Sequence, residues 1–67
     1  LLEQGTGKIA QKVVEEAGEL AIAAVQRDLD NLVEETADLL YHSLVALAEA
    51  DVPLKRVWGV LDRRRRV

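Results

Sequence analysis

Two short stretches of this sequence carry carboxylates at helical spacing. They are KVVEEAGEL (residues 12–20) and EETADLLYH (residues 34–42), and their acids are Glu15, Glu16, Glu19, Glu34, Glu35 and Asp38. In each stretch two of the acids stand three residues apart, so a helix brings them to one face. Carboxylate oxygens are ligands that Mg²⁺ and Mn²⁺ prefer, and protein-bound Mg²⁺ is commonly shared with substrate phosphates. These residue types therefore indicate metal-assisted chemistry on phosphates.

Three predicted helices must position these acids. We expect them over about residues 8–27, 31–50 and 54–65, with Thr6 capping the first helix and Asp30 the second. Pro53 cannot continue a helix but can open one, so it separates the second helix from the third. No stretch alternates polar and apolar residues as a strand would. The short link between the first two helices predicts an antiparallel hairpin in an all-α chain.

The first helix places one of its acids on its apolar face. At about 100° per residue, its apolar stripe is formed by Ile9, Val13, Leu20 and Ala24. Glu16 falls in the middle of that stripe, about 20° from Ile9, whereas Glu19 lies at the margin and Glu15 points toward solvent. Glu16 therefore breaks the polar–apolar pattern of the helix, and Glu15 does not.

The second helix is apolar over most of its circumference. Its strongest apolar stripe contains Val33, Ala37, Leu40, Leu44 and Leu47, and a roughly opposite stripe carries Glu35, Asp38 and His42. A helix that is apolar nearly all round is usually buried on more than one side. Because three helices from one chain cannot cover it, we expect a homodimer or a larger bundle.

Two acidic pairs that face each other across a hairpin form a four-carboxylate cage. We predict that Glu16, Glu19, Glu35 and Asp38 share Mg²⁺, or Mn²⁺ in its place, with Lys12 and Lys8 available for phosphate charge. The alternative for each pair is a solvated helix face, or an intrahelical pair such as Lys12 with Glu16. Taken singly, either pair favours that alternative. Matching pairs on adjacent helices favour the metal site.

Composition limits the possible classes of protein. The chain has 67 residues, 49% of them apolar, no cysteine and a net charge of −3. A single domain over residues 1–67 is near the lower size limit for a stable core, and disulfides and thiolate metal sites are excluded. The acidic balance argues against nucleic-acid binding, and RRRR at 63–66 is interpreted as a solvated helix end. No segment resembles a signal peptide or a membrane span, so a cytoplasmic protein is expected.

Two further residues have open interpretations. Three interpretations of His42 are open: a core histidine with a satisfied hydrogen bond, a general base, or a metal ligand. Di-iron bundles use Glu-x-x-His pairs, and no glutamate precedes His42 by three residues, which disfavours iron chemistry. Trp58 is expected to pack into the bundle.

These motifs resemble those of a known family. The E-x-x-E…E-x-x-D pattern of the two acidic stretches is similar to that of the all-α nucleoside triphosphate pyrophosphohydrolase (MazG-like) superfamily. Within it, KIAQKVVEEAGEL followed by EETADLLYHSLVAL resembles the phosphoribosyl-ATP pyrophosphohydrolases of histidine biosynthesis. The resemblance covers nearly the whole chain, including the third helix after ADVPL.

The resemblance implies Mg²⁺-dependent hydrolysis of a small-molecule nucleotide, phosphoribosyl-ATP, to phosphoribosyl-AMP and pyrophosphate. The positions of the metal ligands in that superfamily correspond to Glu16, Glu19, Glu35 and Asp38. Lys12 and His42 match positions typical of the family and are expected, with Lys8, to contact substrate. Either Glu15 or Glu19 is expected to orient or deprotonate the attacking water. Family members form helical dimers and usually carry a further N-terminal helical segment, of which LLEQGTGK would be the tail.

Two rival functions remain open from the residues alone. One is a house-cleaning pyrophosphohydrolase that acts on ordinary or damaged nucleoside triphosphates. The other is a non-catalytic helical dimerisation module, which would give no reason for acids to persist at both positions.

Overall fold

Three helices make up the part of the chain that the computed structural model describes, residues 5–65. They are α1 (Thr6–Gln26), α2 (Leu29–Glu49) and α3 (Lys55–Arg65). Each begins and ends within about two residues of its predicted bounds, and no strand occurs in residues 5–65. The prediction of an all-α chain is confirmed. None of these helices is both long and apolar enough to cross a lipid bilayer.

The first helix starts differently from its prediction. Gly5 is the N-cap residue, with φ 85° and no side-chain cap hydrogen bond. Thr6, predicted as the cap, is instead the first helical residue, and its hydroxyl donates to the carboxylate of Glu49. This hydrogen bond joins the start of α1 to the end of α2. It fits an antiparallel hairpin, in which these two ends lie side by side.

A tight turn connects α1 to α2. Arg27 adopts the left-handed conformation (φ 58°), and the backbone N–H groups of Arg27 and Asp28 donate to the carbonyl groups of Ala24 and Ala23. Asp28 then caps α2, since its side chain accepts from the Asn31 N–H at 3.4 Å. The prediction that Asp30 is the cap was therefore wrong by two residues. Asp30 lies in the first turn of α2, where a negative charge suits the helix dipole.

The connection to α3 contains Pro53. Asp51 has φ 59°, and the Val52 N–H donates to the Leu47 carbonyl at 2.9 Å, which closes the end of α2. The Pro53 carbonyl accepts from the Arg56 N–H at 3.1 Å, so the proline precedes the first turn of α3. Pro53 therefore separates the two helices as predicted.

The hairpin of α1 and α2 buries very little. Among the described residues the buried apolar side chains are Ile9 and Ala23, and the buried polar side chain is Glu16. Large apolar side chains on all three helices are exposed, among them Val14, Val25, Leu40 and Trp58. The helices of one chain therefore leave much of their apolar surface uncovered.

The third helix leaves an apolar groove beside α2. The groove has a volume of about 420 Å³ and is lined by Leu40, Ser43, Leu44, Leu47, Leu54, Val57, Trp58 and Leu61. Trp58 is 59% exposed in this single chain, so its packing into a bundle completed by a second chain stays a prediction. It lines the groove because no further helix of residues 5–65 lies over it.

Candidate metal centre

Three carboxylates converge between α1 and α2. One oxygen each from Glu16, Glu35 and Asp38 lies within 4.8 Å of the other two. Helix α1 supplies Glu16, which is only 9% exposed, and α2 supplies the other two from successive turns. The turn sets this register, because Glu16 precedes Arg27 by 11 residues and Asp38 follows it by 11. The predicted inward orientation of Glu16 is confirmed.

Glu35 has an oxygen that needs a partner. Its Oε1 atom is buried and forms no hydrogen bond in the described part of the chain. Buried polar atoms are nearly always paired, by protein, water or an ion. A divalent cation held by oxygen ligands would satisfy this atom and neutralise the clustered charge. Glu16, Glu35 and Asp38 therefore fit an Mg²⁺ or Mn²⁺ ion.

The carboxylates strongly perturb one another at Glu35. A side-chain hydrogen bond with Glu19, partial burial and the negative charges of Glu19, Asp38 and Glu16 together raise the pKa of Glu35 to about 7. Each cause disfavours the ionised form of Glu35, because several negative charges lie close together in a partly buried site. The site is thus arranged to take up positive charge, either a proton or a metal ion.

Glu19 lies beside this cluster. It contacts Glu35 from α1 but does not belong to the group of three whose oxygens lie within 4.8 Å of one another. The structure therefore brings all four predicted metal ligands together, with Glu19 on the outer side. Its side chain is exposed to solvent.

His42 is tied to the same cluster by its Nδ1 atom. Nδ1 lies 2.9 Å from the backbone carbonyl oxygen of Asp38 and 3.1 Å from Oε1 of Glu16. Sequence periodicity placed His42 on the stripe of Glu35 and Asp38 but missed its contact with Glu16. The antiparallel register about the turn is the signal that could have found this contact.

The remaining predicted residues lie on the exposed side of α1. Glu15 accepts from the Gln11 side chain at 3.0 Å, and its other oxygen is 3.9 Å from the Lys12 ammonium. Lys12 pairs with Glu15. The intrahelical alternative considered from the sequence had paired Lys12 with Glu16. Lys8 is exposed one turn before Lys12. Lys12 precedes Glu16 by four residues, so the two lie on adjacent turns of α1.

Comparison with known proteins gives a consistent answer. The family model described as phosphoribosyl-ATP pyrophosphohydrolase matches residues 1–65. The chain is 55% identical over 64 residues to a phosphoribosyl-ATP pyrophosphatase of Methylobacterium nodulans, which covers 96% of this chain and 60% of that protein. A phosphoribosyl-ATP pyrophosphatase of Trichlorobacter lovleyi is 52% identical over 64 residues, covering 96% of this chain and 59% of the relative.

A bifunctional relative shows the same similarity. The histidine biosynthesis bifunctional protein HisIE of Halalkalibacterium halodurans is 52% identical over 66 residues, covering 98% of this chain and 31% of that protein. The chain thus spans about 60% of the single-function relatives and about a third of this bifunctional one. Because the family match extends over residues 1–65 and includes both acidic stretches, the resemblance read from the motifs is confirmed, and the chain belongs to the phosphoribosyl-ATP pyrophosphohydrolase family.

Proposed function

We propose that this chain hydrolyses phosphoribosyl-ATP to phosphoribosyl-AMP and pyrophosphate, the second step of histidine biosynthesis. The observation that carries the proposal is the convergence of Glu16, Glu35 and Asp38 within 4.8 Å, with an unpaired buried oxygen on Glu35. The names of the relatives, phosphoribosyl-ATP pyrophosphatase and a histidine biosynthesis protein, support the substrate and the pathway.

The three converging carboxylates would hold Mg²⁺, with Mn²⁺ as a substitute. When bound, such an ion neutralises phosphate charge and polarises the phosphorus under attack. The protein's part is to aim Glu16, Glu35 and Asp38 at one point, where a bound cation would take the place of the proton that charge crowding favours on Glu35. Two helices joined by a short turn achieve this with little freedom, which suits a reaction whose catalysis is mainly positioning and charge stabilisation.

Glu19 is the better placed of the two acids predicted to act on water. It is exposed and contacts Glu35 at the edge of the cluster, so it can accept a hydrogen bond from a water molecule next to the bound phosphates. Accepting a proton from that water would assist its attack on phosphorus. Glu15 is already engaged by Gln11 and Lys12 and does not belong to the group of three.

Lys12 and Lys8 would neutralise part of the negative charge of the phosphates, which the carboxylates cannot do. Both ammonium groups extend from the exposed side of α1, and the contact of Lys12 with Glu15 is a long one at 3.9 Å. A surface pair of this kind is weak, so a polyanion can displace Glu15 at small cost. The departing pyrophosphate would thus leave with part of its charge held by lysine.

We also propose that a second copy of the chain covers the apolar groove, giving a homodimer. The groove exposes apolar side chains of both α2 and α3, including Leu40 (61% exposed) and Trp58. A 67-residue chain that buries only Ile9 and Ala23 among the described apolar residues lacks a sufficient core of its own. Symmetric association through such a face is the commonest form of assembly.

The decisive experiment is turnover of phosphoribosyl-ATP by the intact natural protein, with and without Mg²⁺, beside a panel of canonical nucleoside triphosphates. We expect release of phosphoribosyl-AMP and pyrophosphate in equal amounts, only when Mg²⁺ or Mn²⁺ is present. Glu34→Gln is the matched control for substitutions of the α2 acids in the group of three, because Glu34 is exposed on α2 and lies outside that group. Preferential cleavage of a canonical triphosphate would indicate the house-cleaning function, and no turnover of any nucleotide would indicate the dimerisation module.

A further inference from the structure

His42 sits between two hydrogen-bond acceptors. The backbone carbonyl oxygen of Asp38 is 2.9 Å from its Nδ1 atom, and Oε1 of Glu16 is 3.1 Å from the same nitrogen. Both side chains of this pair are largely sheltered, with exposures of 13% for His42 and 11% for Glu16. The contact joins α2 to the buried acid of α1.

This geometry selects one form of the imidazole ring. A carbonyl oxygen has no proton to donate, and a carboxylate only accepts, so Nδ1 must carry the hydrogen that these acceptors share. A ring nitrogen with a bound proton has no lone pair for a metal ion. His42 is therefore not a metal ligand through Nδ1, and Nε2 is the nitrogen that points away from both acceptors.

Glu16 needs such a restraint. Its carboxylate lies in the group of three whose oxygens are within 4.8 Å of one another, and mutual repulsion favours any rotamer that moves it away. A hydrogen bond in a sheltered place is electrostatically stronger than one in water. A carboxylate has about four lone-pair sites, so the bond to His42 leaves acceptor capacity for a cation.

We infer that His42 is a positioning residue, whose Nδ1–H, anchored on the Asp38 carbonyl, holds the Glu16 carboxylate in the orientation that binds the metal ion. The inference rests on the proposed function and assigns His42 a role toward Glu16 instead of toward substrate. The Asp38 carbonyl fixes the ring and the ring fixes Glu16, so residues 38 and 42 position a ligand on the opposite helix. Outer partners of this kind commonly change metal affinity by roughly 10- to 100-fold when they are removed.

Two amide substitutions separate this role from a substrate contact. In His42→Asn the side-chain amide nitrogen occupies nearly the place of Nδ1, whereas in His42→Gln it lies nearer the place of Nε2. Asparagine and histidine have similar helix propensities, so the first variant changes α2 little. The measurement is the Kd for Mg²⁺ alone, by calorimetry on the intact natural protein without nucleotide. Thermal melts in chelator give the fold of each variant.

We expect His42→Asn to bind Mg²⁺ nearly as tightly as the wild type, and His42→Gln to bind it roughly 10-fold or more weakly. The opposite order, or equal affinity in both variants and the wild type, would overturn the inference and leave the proposed function intact. Equal affinity accompanied by a rise in KM only for His42→Asn, which has no nitrogen near the place of Nε2, would assign His42 to the substrate through Nε2. A wild type that binds no Mg²⁺ would overturn the metal site itself, and this inference with it.

A measurement on the unaltered protein guards against variants that fail to fold. Nitrogen-15 NMR of the His42 ring distinguishes a protonated Nδ1 from an unprotonated one. We expect Nδ1 to carry the proton both with and without Mg²⁺. A ring protonated on Nε2 alone would overturn the inference whatever the variants show.

Discussion

The two faces of α2 show opposite patterns. The face toward α1 carries Glu35, Asp38 and His42 and is partly enclosed, whereas the face toward α3 carries Leu40 and other apolar side chains and is open. A helix on the surface of a globular protein normally does the reverse, turning its apolar stripe to the interior. The comparison therefore separates the face that we propose binds a metal ion from the face that we propose associates with a second copy of the chain.

The difference implies different consequences for mutation. The carboxylates of the acidic face repel one another, which raises the pKa of Glu35, and perturbed clusters of this kind are typical of functional sites. Covering the groove would bury apolar surface that the single chain leaves exposed, and this burial would contribute favourable free energy. Substitutions in the acidic face should then remove function and preserve stability, whereas substitutions in the groove should remove stability and association.

The largest expected effect is on the acidic face. We expect Glu16→Gln and Asp38→Asn to lower kcat/KM for phosphoribosyl-ATP by at least about 100-fold, more than the loss of an outer partner would. Metal-free melts should show no loss of stability, since each variant removes one of the clustered charges. Steady-state assays and thermal melts measure the two quantities. A variant that kept full activity would break the assignment of this face to catalysis.

The second effect is on the groove. Leu44→Lys places a charge on the apolar lining, so we expect a shift from dimer to monomer in sedimentation and a Tm lower by roughly 5 °C or more. Glu34→Lys, an exposed change of charge on the same helix, is the control and should leave both unchanged. A dimer that survived Leu44→Lys would show that the chain associates through another surface.

The third effect is the pH dependence of stability. Protonation of Glu35 favours the folded, metal-free protein, because its pKa there is about 7 against an ordinary value of 4.5. This contribution is complete below about pH 4.5 and is lost as the pH rises through about 7. We expect denaturant melts to show the wild type losing stability relative to Glu35→Gln over that interval.

Mg²⁺ should reverse this dependence, because the ion competes with the proton for the same carboxylate. Stabilisation by Mg²⁺ should therefore grow as the pH rises through about 7. An unchanged difference between wild type and Glu35→Gln from pH 5 to pH 8 would contradict the crowding of charge at this residue.

The smallest effect concerns the turn that connects α1 to α2. Asp28→Ala removes the cap of α2 and should cost about 1 kcal/mol in the free energy of unfolding, measured by urea denaturation. Because the turn sets the register of Glu16 against Asp38, Mg²⁺ affinity should fall slightly as well. Asp30→Ala is the matched control and should cost less, since Asp28 and not Asp30 accepts from a backbone N–H.

The sequence by itself determined the elements and the orientation of the acids on them. Helical periodicity is local, so the position of Glu16 on the apolar stripe of α1 followed from the spacing of its neighbours. The break at Pro53 and the antiparallel hairpin followed from equally local rules. The caps were missed by one or two residues because each helix start has more than one residue type that can cap, glycine and threonine at α1 and two aspartates at α2, and the types alone do not select one.

Only the tertiary structure decided which side chains meet. The contact of His42 with Glu16, the contact of Glu19 with Glu35 and the exposure of Trp58 depend on how the helices are rotated and offset against each other. That arrangement comes from the left-handed residue at Arg27 and from packing along the whole hairpin. Helical spacing fixes directions around one axis, and distances between two axes require the packing itself.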